Sequence, residues 1–421
     1  MTVALIVFAL MYAGMLALPR YRMWFAVGGA VAMIVAGILP LQEVFGAINW
    51  NVIMMIAGTM GIVSLFIETG MPARLADLLL WNVPNTCWAV IALSVFAGVV
   101  SAFVDNVATV LMVAPVGLAI AKDLKISPVP IIVSIAVSSN LQGAATLVGD
   151  TTSILLGGYA GMDFLDFIFW QGKFSIFWAV ELGALGTIPV LMYLFRKNKE
   201  PVTAERMTVV TDYFPSFLMI AVVVLLIAAS FIHNKWEVTN GLICIALCIV
   251  GTIRACIRRK SFSPLRMVGR ETDFTTLAML AGLFIVVASI QKAGIIDEIA
   301  SWFASIGQGD LFGLYTLIVF GSVLLSAFID NIPYVAAMLP VVEGISTHLG
   351  IDPVVLYFGL LSGATLGGNI TPFGASANVA GIGILRKEGY EVKNSDFFRI
   401  GIPFTMTAVL IGYAFIWLVW A

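Results

Sequence analysis

Long apolar runs alternate with short polar stretches along the whole chain, and no polar stretch is long enough to form a domain. The runs 24–39, 215–232, 273–290 and 400–420 each approach the roughly 17–25 residues that cross a bilayer as a helix. Extended over the sequence, the pattern predicts spans at 2–18, 23–39, 49–68, 128–157, 173–195, 215–232, 239–256, 273–291, 353–385 and 400–420. The first run has neither a basic leader nor an A-x-A-like cleavage site, so it reads as a span and not as a signal peptide. Two further apolar stretches, 101–121 and 326–347, carry an Asp-Asn pair in their middle. Each is expected to be the tip and returning limb of a re-entrant hairpin. Segment 72–81, with Arg74 and Asp77, reads as an interfacial connector helix, with 296–306 as its counterpart. The expected fold class is an all-α polytopic membrane protein.

One charged stretch, Arg196 to Asp212, divides the pattern, and the halves on either side of it match. SAFVDN at Ser101–Asn106 recurs as SAFIDN at Ser326–Asn331, a displacement of 225. The same displacement carries Pro115 onto Pro340, Pro128 onto Pro353, Gly143 onto Gly368, Thr146 onto Thr371 and Gly149 onto Gly374. Ala57-Gly58 and Gly70 fall on Ala281-Gly282 and Gly294 with a shift of one. The expected organisation is a first repeat at 1–195, a cytoplasmic linker at 196–213 and a second repeat at 214–421. Each repeat should hold about five transmembrane helices, a re-entrant hairpin and a broken helix.

Lysine and arginine set the orientation. With the N-terminus outside, Arg20, Arg22, Arg74, Lys122, Lys125, Arg196, Lys197, Lys199, Arg254, Arg258–Lys260, Arg266, Arg270, Arg386, Lys387 and Arg399 all face the cytoplasm. The opposite side keeps Glu43, Asp163, Asp166, Asp310 and Asp352, with Lys173, Lys235 and Lys292 as the basic exceptions. This is the positive-inside bias. It makes the first hairpin open to the cytoplasm and the second to the outside, so the repeats are inverted, as alternating access requires.

Composition narrows the function. Hydrophobic residues make up 61% of the chain and charged ones 11%, against roughly 45–50% and 25% in a soluble domain. The net charge of −2 offers nucleic acid no attraction. Four cysteines include no C-x-x-C pair, and Cys244 and Cys248, on one helix face, read as apolar packing. His233 reads as a loop residue, and Glu68 and Glu181 as span-end residues that reach the interface. There is no Walker A, H-E-x-x-H or G-x-S-x-G sequence, so no enzyme and no cofactor is expected. Energy must then come from a Na⁺ or H⁺ gradient or from a separate subunit.

Two kinds of segment break the apolar pattern, each twice. The hairpin tips carry Asp105-Asn106 and Asp330-Asn331; a carboxylate at that depth costs roughly 2.5–3.5 kcal/mol and usually marks an ion or proton site. Capping of the hairpin's second helix is the plainer role, and both roles can hold at once. The second kind is a Gly/Thr/Asn-rich interruption, Ser138–Ser153 and Ser362–Asn378, expected to be unwound backbone. Its candidate ligands are Asn140, Gly143, Thr146, Asp150, Thr151 and Ser153 in the first copy. In the second they are Thr365, Gly368, Asn369, Thr371, Ser376 and Asn378. Close packing through small residues is the alternative. No Lys, Arg or His lies in these four segments, so a multiply charged anion would meet carboxylates with no fixed cation to offset them.

GATLGGNITPFGASANV (Gly363–Val379) and FVDNVATVLMVAP (Phe103–Pro115) resemble motifs of the ion transporter superfamily. The branch is that of ArsB arsenite permeases, the melanosomal P protein and NhaD-type Na⁺/H⁺ antiporters, related to the divalent anion/sodium symporters and citrate-transporter-like permeases. The first segment is similar to the family's G-x-x-x-G-G-N-x-T-P-x-G-x-x-x-N pattern. Where many relatives read G-D-P-P-N, this chain has Gly149-Asp150-Thr151-Thr152-Ser153. Where the divalent anion symporters hold sodium and substrate at a Ser-Asn-Thr tip, it has Asp105-Asn106-Val107 and Asp330-Asn331-Ile332. The resemblance implies a scaffold domain, a mobile transport domain, a homodimer, and Na⁺ at Asp105, Asn106, Asp330, Asn331 and Asn378. The leading expectation is an ion-coupled (Na⁺ or H⁺) secondary transporter of a small anion or oxyacid, such as an inorganic anion, arsenite or a carboxylate, in the inner (plasma) membrane. The rivals are a Na⁺/H⁺ antiporter and the membrane subunit of an arsenite pump driven by a soluble ATPase.

Overall fold

The computed structural model describes residues 1–81, 83–202, 207–232, 234–307 and 310–421, apart from the side chains of residues 19 and 304–307. His233 and residues 203–206 of the expected linker lie outside those residues. The first half comprises α1 (Thr2–Ala17), α2 (Arg22–Val35), the single turn α3 (Val44–Ala47), α4 (Trp50–Glu68), α5 (Met71–Leu80), α6 (Thr86–Ser101), α7 (Asn106–Asp123), α8 (Val129–Gly143), α9 (Thr151–Ala160) and α10 (Ile176–Phe195). The second half comprises α11 (Phe214–Ser230), α12 (Thr239–Arg259), α13 (Ser263–Glu271), α14 (Phe274–Lys292), α15 (Ile295–Gly307), α16 (Leu311–Ser326), α17 (Asn331–Leu349), α18 (Val354–Gly367), α19 (Ser376–Lys387) and α20 (Asn394–Trp420). Among the described residues seven helices are long and apolar enough to cross a membrane: α4, α7, α10, α12, α14, α17 and α20.

Three details differ from the sequence expectation. The fold is not wholly α: β1 (Phe169–Trp170) and β2 (Lys173–Phe174) form a tight antiparallel hairpin. Gln171 and Gly172 turn it with positive φ, so α10 starts at Ile176 and not at 173. The second span ends at Val35 and not at 39, because Gly37 takes a left-handed conformation (φ 70) and Pro40 follows.

The repeat is visible element by element. Helices α4 and α5 begin 224 positions before α14 and α15, and α6 to α9 begin 225 before α16 to α19. The turns match too, since Gly70 and Gly294 both adopt left-handed backbone (φ 76 and 75). So do the N-caps, which satisfy the free N–H groups of each first turn. Asn49 accepts from Val52 N at 3.1 Å and Asp273 from Thr276 N at 3.0 Å. Asn85 caps α6 through Trp88 N, and Asp310 caps α16 through Phe312 N and Gly313 N.

Two bundles result. In the first, each half supplies the other's partner: α12 lies along α4, and α2 lies along α14. The crossings are close because Gly58 faces Cys244 and Gly282 faces Ala26, where a Cβ would stand 2.5 and 2.8 Å from backbone carbon. Cys244 and Cys248 are buried against α4, in the packing role expected of them. The second bundle holds the hairpins α6–α7 and α16–α17, the interrupted pairs α8–α9 and α18–α19, and α10 against α20. Leu185, Tyr193, Ile220, Val224, Ile253 and Leu324 point outward, as a surface bathed in hydrocarbon requires.

Apart from Arg22–Asp330 at the second hairpin tip, ion pairs among the described residues respect the sides assigned from lysine and arginine. Lys292–Glu43 (2.7 Å) and Lys235–Asp163 join residues of one group. Arg254 and Arg258 meet Asp212 at 2.7 and 2.5 Å, Arg259 meets Glu68 at 2.6 Å, and Lys122 meets Glu388 at 2.5 Å in the other.

Candidate transport site

Each hairpin turns at its aspartate, which caps the returning helix. Asp105 accepts from Val107 N (3.0 Å) and Ala108 N (3.2 Å), and Asp330 from Ile332 N (3.1 Å). The capping role considered from sequence is therefore real at both tips. Below each tip the expected interruption is present. Helix α8 ends at Gly143 and α9 starts at Thr151, while α18 ends at Gly367, a 3₁₀ turn follows over Gly368–Ile370, and α19 starts at Ser376.

The loops are held to the tips by matching bonds. Thr146 donates to the carbonyl of Ala102, and Thr371 donates to that of Ala327. Gly149 and Gly374 nest against those same carbonyls at places where a Cβ would stand 2.9 Å away. Ser153 Oγ spans the first gap to Gly143 O (3.2 Å), and Asn378 Nδ2 spans the second to Gly368 O (2.9 Å) and Thr371 O (3.1 Å). The difference between these last two matters. Asn378 keeps a fully buried Oδ1 with no partner, an oxygen left free for a cation.

The two interruptions also meet each other. Asn140 accepts from Asn106 Nδ2 (2.9 Å) and donates to Thr365 O (2.7 Å) and Asn369 Oδ1 (3.1 Å). Asn369 returns a bond to Val137 O (2.9 Å), and Thr152 Oγ1 lies 3.3 Å from Thr365 Oγ1. Asn331 turns away from the broken helix of its own half, and its Nδ2 donates to Asp150 Oδ2 at 3.4 Å. The sites are thus one buried network shared by both halves, not two separate mirror images.

A cavity of about 450 Å³ reaches this network from the Glu68–Glu271 side, between the two bundles. Asp105, Asn106, Asp150, Thr151, Asn331 and Ser376 line it. Asn140, Gly143, Thr146, Ser153, Thr365, Gly368, Asn369, Thr371 and Asn378 lie behind that lining as the buried frame. The opposite wall brings residues not singled out from sequence: Ser64 and Glu68 of α4, Glu271 of α13, and Asp273 and Thr276 of α14. The displacement of 224 that pairs Asp273 with Asn49 is the signal that could have found them. Among the described residues no lysine, arginine or histidine lines the cavity.

Asp330 stands apart. Its Oδ2 takes Arg22 Nη1 at 2.7 Å and Ser376 Oγ at 3.1 Å, beside a small separate cleft with Tyr12, Met15 and Phe328. Asp150 lies within electrostatic reach of both aspartates. The expectation of no fixed cation near the tips is therefore corrected at this one. Arg22, three hundred residues earlier in the chain and assigned by charge count to the cytoplasmic surface, folds over from the start of α2.

At the far end of α4 and α14 lies a second cavity of about 690 Å³, lined by Asn49, Asn51, Gly158, Phe284, Val287, Ala288 and Gln291 among others. The last four are the counterparts, 224 positions on, of Met60, Val63, Ser64 and Ile67 in the first cavity. This second cavity stops short of the tips: Asn49 Nδ2 donates to Gly158 O at 3.1 Å and ties α4 to α9. Among the described residues no three His, Cys, Asp or Glu side chains gather as a metal centre.

Interrupted helices, paired hairpin tips and cavities at both ends of one helix pair define a multi-pass membrane transporter. The citrate transporter family (CitMHS) matches residues 3–361 and again 267–421, and the chain belongs to it. An uncharacterised transporter of Mycobacterium tuberculosis is 30% identical over 92% of this chain and 92% of its own length. The human P protein is 26% identical over 91% of this chain but only 55% of its own. In solved structures the fold resembles the YdaH transporter of Alcanivorax borkumensis (TM-score 0.61, 14% identity, 89% of this chain and 87% of that one). It also resembles MtrF of Neisseria gonorrhoeae, described within a class of antimetabolite efflux pumps (TM-score 0.59, 16% identity, 89% and 83%).

Proposed function

We propose that the protein is a cation-coupled (Na⁺ or H⁺) secondary transporter of a small anion or oxyacid, working by alternating access in the inner (plasma) membrane. The reading divides the chain into inverted repeats at 1–195 and 214–421, joined by the linker 196–213, and expects a homodimer. One observation carries it. The cavity that touches Asp105, Asn106, Asp150, Asn331 and Ser376 has a counterpart at the other end of the α4–α14 pair, open on its own side but shut off from the tips. A transporter that exposes one site to two sides in turn needs that pair of vestibules, one connected and one closed.

The closure has a simple moving part. Gly158 of α9 lies against α4, where a Cβ would stand 2.4 Å from Val52 Cγ2 and 3.0 Å from Asn49 Nδ2. Its counterpart, Gly383 of α19, has nothing within 4 Å. The counterparts of Val52 and Asn49 are Thr276 and Asp273, which line the open cavity. Sliding the hairpin bundle until Gly383 docks on Thr276 and Gly158 lifts from Val52 would exchange the open and closed ends.

Charge sets the coupling. The lining presents Asp105, Asp150, Glu271 and Asp273, besides Glu68 that Arg259 already pairs, with no basic residue among the described residues, so an anion enters only with cations or protons that cancel this field. Sodium would be held by Asp105 and by neutral oxygens beside it in the lining, such as those of Asn106 and Thr151, while the free Oδ1 of Asn378 offers an oxygen at the second interruption. Exchange of Na⁺ for H⁺ without any anion is the second reading, favoured by Asp105 and Asp150 facing the cavity unpaired by a base. Uptake into proteoliposomes of citrate, smaller carboxylates and arsenite, with Na⁺ and pH gradients set separately and no ATP, tests both. Gradient-driven accumulation of an anion or oxyacid supports the first reading. Proton movement on a Na⁺ pulse with no anion present supports the second, and uptake blind to both gradients would sink both.

A further inference from the structure

We infer that Arg22 is a built-in counter-ion that takes Asp330 out of coupling, leaving Asp105 as the tip carboxylate that answers to an exchangeable cation. The inference deepens the proposed function by making the two pseudo-equivalent tips unequal. The repeat gives both tips an Asp-Asn pair after Ser-Ala-Phe and one apolar residue, a capping aspartate and the same tie to the loop below. Their surroundings differ. Asp330 is 6% exposed, and its Oδ2 is filled by the Arg22 guanidinium and the Ser376 hydroxyl. Among the described residues Asp105 receives only backbone N–H groups, and its neighbours across the cavity include another carboxylate, Asp273. Thr151, the counterpart of Ser376, faces the cavity and makes no such bond to Asp105.

The counter-ion is held as part of the fold. Arg22 opens α2, which packs along α14, and α1 clasps the same tip through Tyr12 OH donating to Pro333 O at 2.9 Å. A guanidinium stays charged at any pH the protein meets, so in the state described it occupies Asp330 where a metal ion or proton would otherwise come and go. The groups facing Asp330 are Arg22 from α2, Tyr12 from α1, Ser376 from α19 and, one residue away through Asn331, Asp150. Among the described residues only Arg22 supplies positive charge there. Removing it would leave a buried carboxylate that must recruit a cation or a proton.

The test uses the full-length protein and Na⁺ itself, replaced by choline at constant ionic strength, with a parallel pH series. Thermal unfolding and uptake are both followed. Asp105→Asn should abolish the cation dependence of uptake, and Asp330→Asn should leave its midpoint in place. Arg22→Gln should create a new Na⁺- or pH-dependent rise in melting temperature, or shift the uptake midpoint by about tenfold or more, as one added buried charge beside a cation predicts. Adding Asp330→Asn to Arg22→Gln should erase the new dependence, and Arg22→Lys should behave as wild type, which guards against simple misfolding. The inference is overturned if Arg22→Gln matches wild type in both titrations, or if Asp330→Asn removes the cation dependence as fully as Asp105→Asn. A wild type indifferent to Na⁺ and pH would instead defeat the coupled-transport reading. The dependence gained by Arg22→Gln would still decide the role of the arginine.

Discussion

Gly158→Ala should tip the transporter away from the state described, and its repeat partner Gly383→Ala should hold it there. The added methyl at 158 would stand 2.4 Å from Val52 Cγ2. Val52 is fully buried in α4 and β-branched, so its rotamer cannot swing clear. Overpacking of that kind costs about 1–3 kcal/mol, and only where α9 is docked. Helix propensity favours alanine by about 1 kcal/mol, but α9 is helical in both states, so that gain cancels. The population should therefore shift by about 5- to 150-fold toward the opposite state. At 383 the methyl meets nothing now and would meet Thr276 after the slide, so the sign reverses. The assay is labelling of Leu111→Cys, in the open cavity, in a background without the four native cysteines. From the Glu68–Glu271 side, labelling should slow in Gly158→Ala and hold or rise in Gly383→Ala, while both variants transport more slowly. Unchanged labelling in Gly158→Ala, with normal transport, would refute the sliding contact.

Three further outcomes follow from the same geometry. Thr371→Val strips the Ala327 carbonyl of its donor and should cost about 1–3 kcal/mol, seen as a lower melting temperature, with Thr146→Val close behind; stability unchanged in both would mean these ties do not hold the tips. Asn378→Ala should weaken apparent Na⁺ or proton affinity in uptake more than Ser153→Ala, because Asn378 holds an unpartnered buried Oδ1 and the Ser153 hydroxyl already donates to Gly143 O; equal effects would count against a cation at Asn378. An impermeant thiol reagent outside the cell should label Trp236→Cys and miss Lys260→Cys, and the reverse would invert the topology drawn from the basic residues.

Much of this was legible because the determinants are local or repeated. Apolar length marks the spans, and Gly/Thr/Asn clusters mark the unwound loops. A fixed displacement pairs Thr146 with Thr371 and Ser153 with Asn378 without any coordinates. What sequence could not give is which partners lie across the bundles. Arg22 belongs by charge count to a loop, and only the packing of α2 along α14 brings it to Asp330. Glu68, Glu271 and Asp273 look like ordinary helix-end charges until α4, α13 and α14 are set around one cavity. The pairing of Asn331 with Asp150 crosses the two halves, so symmetry within either half pointed the wrong way.

The exchange of partners in the first bundle, α4 with α12 and α2 with α14, bears on how the chain is made. When ribosomes have delivered residues up to 195, the Gly58 and Gly61 face of α4 has no Cys244 or Cys248 to receive it, and the Ala26 side of α2 still lacks Gly282. Those helices must wait in lipid, inserted but unpaired, until α12 and then α14 arrive. Close approach through small residues is what draws helices together in a bilayer, so docking is a late, long-range event in biogenesis. A fragment ending at the linker would expose one vacant glycine groove on α4 and the uncovered Ala26 face of α2, a natural handle for membrane quality control. The two halves expressed as separate polypeptides should reach maturity only when each is there to clasp the other.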